Sequence, residues 1–238
     1  SEMCIRDRRY IRMSLQDTPK FLEMEQRLEN KACMARAPIR ELMSQHRRSL
    51  GIGIGVTCLN AVAFYLLLSY MPTYLSTEMG MSERDSFIAS TVSLATYIGL
   101  IFLMGRLSDQ FGRKTMLVVA SLLFLGLTVP LFRLLDGQPL VVILAIQICF
   151  GAILAMNDGT LPCLLAEIFP TRVRFSGFAL SFNLANALFG GTAPFIATWL
   201  IQVTGSKLAP AGYLLAAALV ALVAMLMCRE TAHSALED

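Results

Sequence analysis

Gly105-Arg106-Leu107-Ser108-Asp109-Gln110-Phe111-Gly112-Arg113-Lys114 decides how the rest of the chain is read. Four charged residues fall within nine positions, marked by two glycines and flanked on both sides by long apolar runs. A soluble domain rarely sets such a loop between stretches this greasy. A membrane protein does so where the chain turns around in water and re-enters lipid.

Working outward from this loop, the whole chain has the same character. Of 238 residues, 55% are hydrophobic and only 16% are charged, against about 25% charge in ordinary soluble domains. The charge is clumped, which leaves six runs of membrane length: Leu50–Leu75, Phe87–Met104, Thr115–Phe132, Leu140–Ile168, Phe175–Val203 and Ala211–Cys228. Backbone in lipid must satisfy its own hydrogen bonds, and the runs are too long and too continuous for barrel strands. The expectation is therefore an all-α membrane protein with six transmembrane helices. The fourth and fifth runs exceed about 20 residues and should tilt, bend or project into water.

Six crossings put both chain ends on one side. Of the 20 Lys and Arg, only Arg84, Arg133 and Lys207 fall on the opposite side, and none lies inside a span. Eleven precede Leu50. By the positive-inside rule the ends and the Gly105–Lys114 loop are cytoplasmic. The net charge of +3 then reflects topology and gives no reason to expect nucleic acid.

The six cysteines (Cys4, Cys33, Cys58, Cys149, Cys163, Cys228) lack metal-like spacing and are expected as thiols. His46 and His233 lie outside the spans, which argues against a haem, a zinc site or a histidine-based hydrolase in the membrane. No metal, cofactor or catalytic set is expected. An intramembrane enzyme would need a nucleophile–base or metal constellation, and Asp158 is the one ionisable side chain within the hydrocarbon.

Before the first span, residues 1–49 read as a polar linker. Ser1–Arg8 has the character of a scar and carries no weight; the chain is expected to begin inside a longer protein. A helix is predicted from near Pro19, with Phe21, Met24 and Leu28 at helical spacing. It is either a solvated linker helix or a lateral helix packed under the membrane domain. The membrane domain spans 50–230, and 231–238 form a tail.

Polar groups are distributed unevenly among the spans. The first carries Asn60 and Tyr65; the second has Ser90, Ser93 and Tyr97 on one face. In the fourth, Gln147, Gly151 and Asp158 share a face, and in the fifth, Ser176, Asn183, Asn186 and Gly190 do. The third is almost purely apolar, and the sixth has no polar side chain between Leu214 and Met227. These two are expected to face lipid all round, the other four to present something to a polar interior. Gly190-Gly191 with Pro194, and Asn157-Asp158-Gly159 with Pro162, should weaken their helices locally. Such interruptions are where transporters place binding and gating groups.

An intramembrane carboxylate is costly and is a functional-site hypothesis by default. Asp158 lies about 27 Å along the helix from Leu140 at 1.5 Å per residue. It either binds a cation or proton that offsets the cost, or it caps a helix break and is wetted from below. Asn60, Gln147, Asn183 and Asn186 could bind a polar solute; hydrogen bonding between helices explains them equally well. Asp109 and Arg113 are four apart and can pair on a helical turn. Glu167 and Arg174 bracket Phe169-Pro170-Thr171-Arg172. Two such pairs at the feet of neighbouring helices could lock one conformation. For Arg106, Lys114 and Arg172, topology signalling is the plainer account.

In order, these elements resemble the C-terminal half of a major facilitator superfamily transporter. The charged loop is similar to that family's G-x-L-S/A-D-R-x-G-R-R/K motif, with Gln110 where a basic residue is common. Asp17-Thr18-Pro19-Lys20-Phe21 is similar to the acid-x-Pro element after the sixth helix. Asn60 with Phe64-Tyr65 falls in the seventh helix, Phe169-Pro170-Thr171-Arg172-Val173-Arg174 between the tenth and eleventh, and Arg229-Glu230-Thr231 after the twelfth. Sugar porters carry P-x-P-W in the tenth helix, where this chain has Gly159-Thr160-Leu161-Pro162. The run is closer to the metabolite:proton symporters that take up osmolytes or organic acids.

The resemblance implies a six-helix half of a major facilitator fold in a bacterial inner membrane. It implies alternating access for a small polar solute and a proton, and a missing N-terminal six-helix half as partner. Asn60, Tyr65, Tyr97, Gln147, Asp158, Asn183 and Asn186 would line the cavity. Gly105, Asp109, Gly112, Arg113, Glu167 and Arg174 would form the cytoplasmic gate. A sugar porter, or a six-span half acting as a homodimer, stays open.

Overall fold

The structure, a computed structural model, describes residues 38–228. The helix expected near Pro19, Cys4, Cys33, the tail element Arg229-Glu230-Thr231 and residues 231–238 lie outside the described residues. A short helix, Pro38–Gln45, comes first. Six helical stretches long and apolar enough to cross a membrane follow: Arg47–Thr77, Glu83–Phe111, Arg113–Leu134, Leu140–Ile168, Arg174–Thr204 and Ala209–Met227. They are called the first to sixth spans below. No strand occurs among the described residues. All six expected runs are present, with ends within about a turn of the apolar boundaries except at the end of the second, which runs on to Phe111, about two turns past Met104, so that most of the stretch expected as a charged loop is helix.

Local chemistry sets those ends. Ser82 caps the second span by accepting from the Asp85 amide at 3.1 Å, and Glu83 and Asp85 add negative charge to the first turn. Gly112, at φ +94°, separates the second span from the third within the charged loop. A side chain at that φ would be strained, which accounts for the second glycine of the loop. Gly205, at φ +65°, ends the fifth span in the left-handed conformation common at helix termini.

Two spans widen into π-helical turns, Tyr65–Tyr70 in the first and Asn186–Gly190 in the fifth. Each lies just ahead of a proline, Pro72 or Pro194. A proline ring clashes with the carbonyl four residues back, and a widened turn relieves that clash. The weakening expected around Gly190 is thus realised. The one expected in the fourth span is not: Leu140–Ile168 is an unbroken α-helix with Pro162 inside it. Gly159 serves contact instead. A Cβ there would lie 2.6 Å from the Ile101 carbonyl oxygen and 3.0 Å from the Gly105 nitrogen. Gly151 does the same against the Ser93 carbonyl oxygen, at 2.7 Å. These two glycines let the second and fourth spans run side by side at backbone distance.

The first and fourth spans hold the centre of the bundle. The core joins Leu59, Leu66 and Tyr74 of the first to Phe124 and Phe132 of the third and Phe150 of the fourth. Its aromatic edge contacts run Tyr74–Phe132–Phe150, with centroids 5.7 Å apart at each step.

The expectation that the third and sixth spans face lipid all round is corrected. Each turns one face inward: Ser121, Phe124 and Thr128 in the third, and Ala217, Ala218, Ala221 and Met225 in the sixth. The alanines let the sixth pack closely on the first and third. A Cβ on Gly55 would lie 2.8 Å from that of Ala224. The most open spans are the polar-striped second and fifth. Only 17% and 22% of their apolar windows are buried, against 39% and 44% for the third and sixth. Phe87, Ile98 and Phe102 of the second, and Phe175, Phe195 and Trp199 of the fifth, are exposed.

Candidate functional site

Asp158 is 8% exposed, and three spans contribute to its surroundings. Asn60 of the first span donates through Nδ2 to Oδ1. Asn157, its own neighbour, donates to the same oxygen at 3.3 Å. Tyr97 of the second span donates through its hydroxyl to Oδ2 at 2.9 Å. Three expected site residues, Asn60, Tyr97 and Asp158, therefore meet in one cluster. Asn157 completes it; its signal in the sequence is its place beside Asp158. The close approach of the second span, made possible by Gly151 and Gly159, brings Tyr97 within reach. All three donors are neutral, and none of these contacts involves a cation. A carboxylate held only by dipoles keeps a large part of its burial cost, which a proton or a bound cation relieves.

Tyr65 lies beside this cluster. A Cβ on Gly190 would come within 2.6 Å of its ring, so the π turn of the fifth span forms a notch for it. Phe64 meets both Tyr65 and Tyr97 edge-on, at centroid distances of 5.8 and 6.1 Å. The remaining candidates stand apart. Asn183 is exposed and Asn186 half-buried, and each donates back to its own helix, to the Ala179 and Phe182 carbonyls. Gln147 is fully buried, with neither side-chain polar atom hydrogen-bonded. Its backbone carbonyl accepts from Ser93 Oγ at 3.1 Å.

The charged loop gathers at one end of the bundle. Arg113 forms an ion pair with Asp109 and reaches Glu167 of the fourth span, Nε to Oε1, at 3.3 Å. Its Nη1 also donates to Ser108 Oγ at 2.8 Å. The second expected pair is arranged differently. Arg113 meets Glu167, while Arg174 Nε donates to the Phe169 carbonyl at 3.3 Å. Gly105 packs on the fourth span, where an added Cβ would lie 3.3 Å from the Gly159 carbonyl oxygen. At the same end Arg48 and Lys114 donate to the carbonyls of Met227 and Cys228, at 3.4 and 2.6 Å. Cations there suit the negative end of the sixth helix. The short Pro38–Gln45 helix buries Leu42 against Phe169 and Val173 of the loop after Glu167. Gly177 leaves room for the Phe169 ring, which a Cβ would meet at 2.6 Å.

Cys58, Cys149, Cys163 and Cys228 form no disulfide. Among the described residues no group of three His, Cys, Asp or Glu converges to hold a metal ion.

Six spans of this length and apolarity define an integral membrane protein. The sequence matches the sugar (and other) transporter family over residues 5–238. It is 33% identical over 236 residues to a glycine betaine/proline/ectoine/pipecolic acid transporter, OusA, of Dickeya dadantii, covering 96% of this chain and 46% of that protein. It is 32% identical over 236 residues to a proline/betaine transporter of Salmonella typhimurium, with the same coverage. Against a citrate-proton symporter of Salmonella typhi it is 33% identical over 219 residues, covering 91% of this chain and 49% of the symporter. The chain belongs to the sugar (and other) transporter family of the major facilitator superfamily. It spans about half the length of the curated relatives it matches.

Proposed function

We propose that this chain is the C-terminal half of a proton-coupled secondary transporter that imports a small polar metabolite by alternating access. The observation that carries the reading is Asp158, a buried carboxylate held by Asn60, Asn157 and Tyr97 with no cation among those partners. A carboxylate inside a membrane span is costly to keep and is a functional-site hypothesis by default. Relatives named for proline, betaine and citrate transport support an osmolyte or organic acid as solute. The bacterial relatives support a bacterial inner membrane, and the distribution of Lys and Arg supports cytoplasmic chain ends.

In this reading the first, second and fourth spans carry the coupling cluster, and Asn60, Tyr65, Tyr97 and Asp158 face a cavity completed by a second six-helix half. The open apolar faces of the second and fifth spans are where that half would pack. Asn183, on the open side of the fifth span, would reach solute only across that interface. Gln147, shut inside the bundle, would serve packing within this half. Arg113, with Asp109 and Glu167, ties the ends of the second, third and fourth spans and would hold the cytoplasmic gate. Gly105 and Gly112 would shape it, and Arg174 would brace the loop beside it.

The test is uptake of labelled L-proline, glycine betaine and citrate by proteoliposomes holding the whole reading frame, with and without an imposed proton gradient. Gradient-driven accumulation of at least one supports the proposal. Hexose uptake in place of all three would favour a sugar porter.

A further inference from the structure

The hydroxyl of Tyr97 is the one partner of Asp158 that can change sides in a hydrogen bond. Asn60 Nδ2 and Asn157 Nδ2 both reach Oδ1, and amide N–H groups only donate. Tyr97 reaches Oδ2 at 2.9 Å, and a phenol both donates and accepts. A proton on Oδ1 would point at two N–H donors. On Oδ2 it requires only that the phenol turn its hydrogen away and accept. The carboxyl therefore has a defined protonation site.

The turned phenol hydrogen needs somewhere to go. Tyr97 is half-buried, and its ring meets Phe64, which is itself exposed. Tyr97 thus links a carboxyl at 8% exposure to a ring contact with an exposed phenylalanine. The groups facing Asp158 are Tyr97 from the second span, Asn60 from the first and Asn157 from its own helix, and none is charged.

We propose that Tyr97 converts proton binding at Asp158 into a hydrogen-bond donor offered to a carboxylate on the solute. This rests on the transporter reading above and adds the chemical group that is recognised. The step balances. A proton arriving as hydronium forms the O–H bond at Oδ2 and leaves water behind, and Tyr97 keeps its own hydrogen. The negative charge lost at Asp158 is replaced, on the other side of the phenol, by that of the solute carboxylate. Proton and solute then favour each other's binding, which is the thermodynamic content of symport.

The experiment uses the whole transporter as wild type, Tyr97→Phe and Asp158→Asn. Tyr97→Phe keeps the ring that packs on Phe64. Acid–base difference infrared spectra should show a carboxylic C=O band that Asp158→Asn removes and Tyr97→Phe shifts. In proteoliposomes, preference for L-proline over L-prolinamide should fall about tenfold or more in Tyr97→Phe, the worth of one hydrogen bond to a charged group. An Asp158 band unmoved by Tyr97→Phe, or an unchanged proline/prolinamide ratio, overturns the role of Tyr97. If Asp158→Asn removes no band and leaves gradient-driven uptake intact, the proton-coupling reading itself fails, and this inference with it.

Discussion

Glu167 and Asp158 sit nine residues apart on the same helix, yet their surroundings differ in kind. Glu167, near the end of the fourth span, faces the Arg113 guanidinium, which also holds Asp109. Asp158, within the bundle, is held by two amides and a phenol. A carboxylate facing a cation is compensated where it stands, so its contribution is to tie helices together. A carboxylate facing only dipoles retains part of its desolvation cost and invites a counter-ion or proton. One helix thus carries a structural tie at its end and, nearer its middle, the carboxylate proposed as the exchange site.

The sharpest way to break that contrast is to remove the acceptor at the inner site. Asp158→Leu leaves the Asn60, Asn157 and Tyr97 donors without their acceptor, at roughly 1–3 kcal/mol per group. The expected outcome, read by initial-rate uptake and thermal unfolding of the purified transporter, is lost transport and a markedly lower Tm. Next comes the seam that brings Tyr97 to Asp158. Gly159→Ala forces a Cβ against the backbone of Ile101 and Gly105, and overpacking of this kind costs about 1–3 kcal/mol. Its Tm should fall, and Tyr97→Phe should cost less on that background than on the wild type, which a double-mutant cycle measures.

The outer tie should yield smaller effects. Arg113→Gln removes the cation from both acids and should shift the resting conformation, read as altered cysteine labelling on the two faces. Asp109→Asn should do much less. Asp109 is 61% exposed, and exposed ion pairs are worth roughly 0.2–1 kcal/mol. Smallest of all is Lys207→Ala at the opposite end. The Lys207–Asp136 pair, 3.4 Å apart, is exposed on both sides, and no measurable change in Tm is expected.

The six spans were legible because their signal is collective: some twenty apolar residues in a row outweigh any single polar one. Asp158 was legible for the complementary reason, as one charge in a long apolar run. What periodicity could not supply is which neighbour each face meets. Asn183 and Asn186 share a face with Gly190, yet their amides return to their own helix carbonyls, as local hydrogen bonding allows. Gln147 shares a face with Asp158 along an ideal helix but ends fully buried within the bundle. Pro162 is expected to weaken the fourth helix locally, but a proline removes one backbone hydrogen bond and the packed helix runs on without it. Pro72 falls inside the first run, and the chain widens into a π turn ahead of it and continues to Thr77. The meeting of Arg113 with Glu167 depends on contact between helices, which spacing along the chain does not encode.

Coupling, as proposed, requires that the dipole-held carboxylate exchange a proton. The direct measurement is the steady-state accumulation ratio of labelled solute in proteoliposomes under an imposed pH gradient, for wild type and Asp158→Asn. The prediction is a ratio well above unity for the wild type that falls to unity in Asp158→Asn, with solute exchange at equal pH retained. An Asp158→Asn protein that accumulates solute as the wild type does would contradict it.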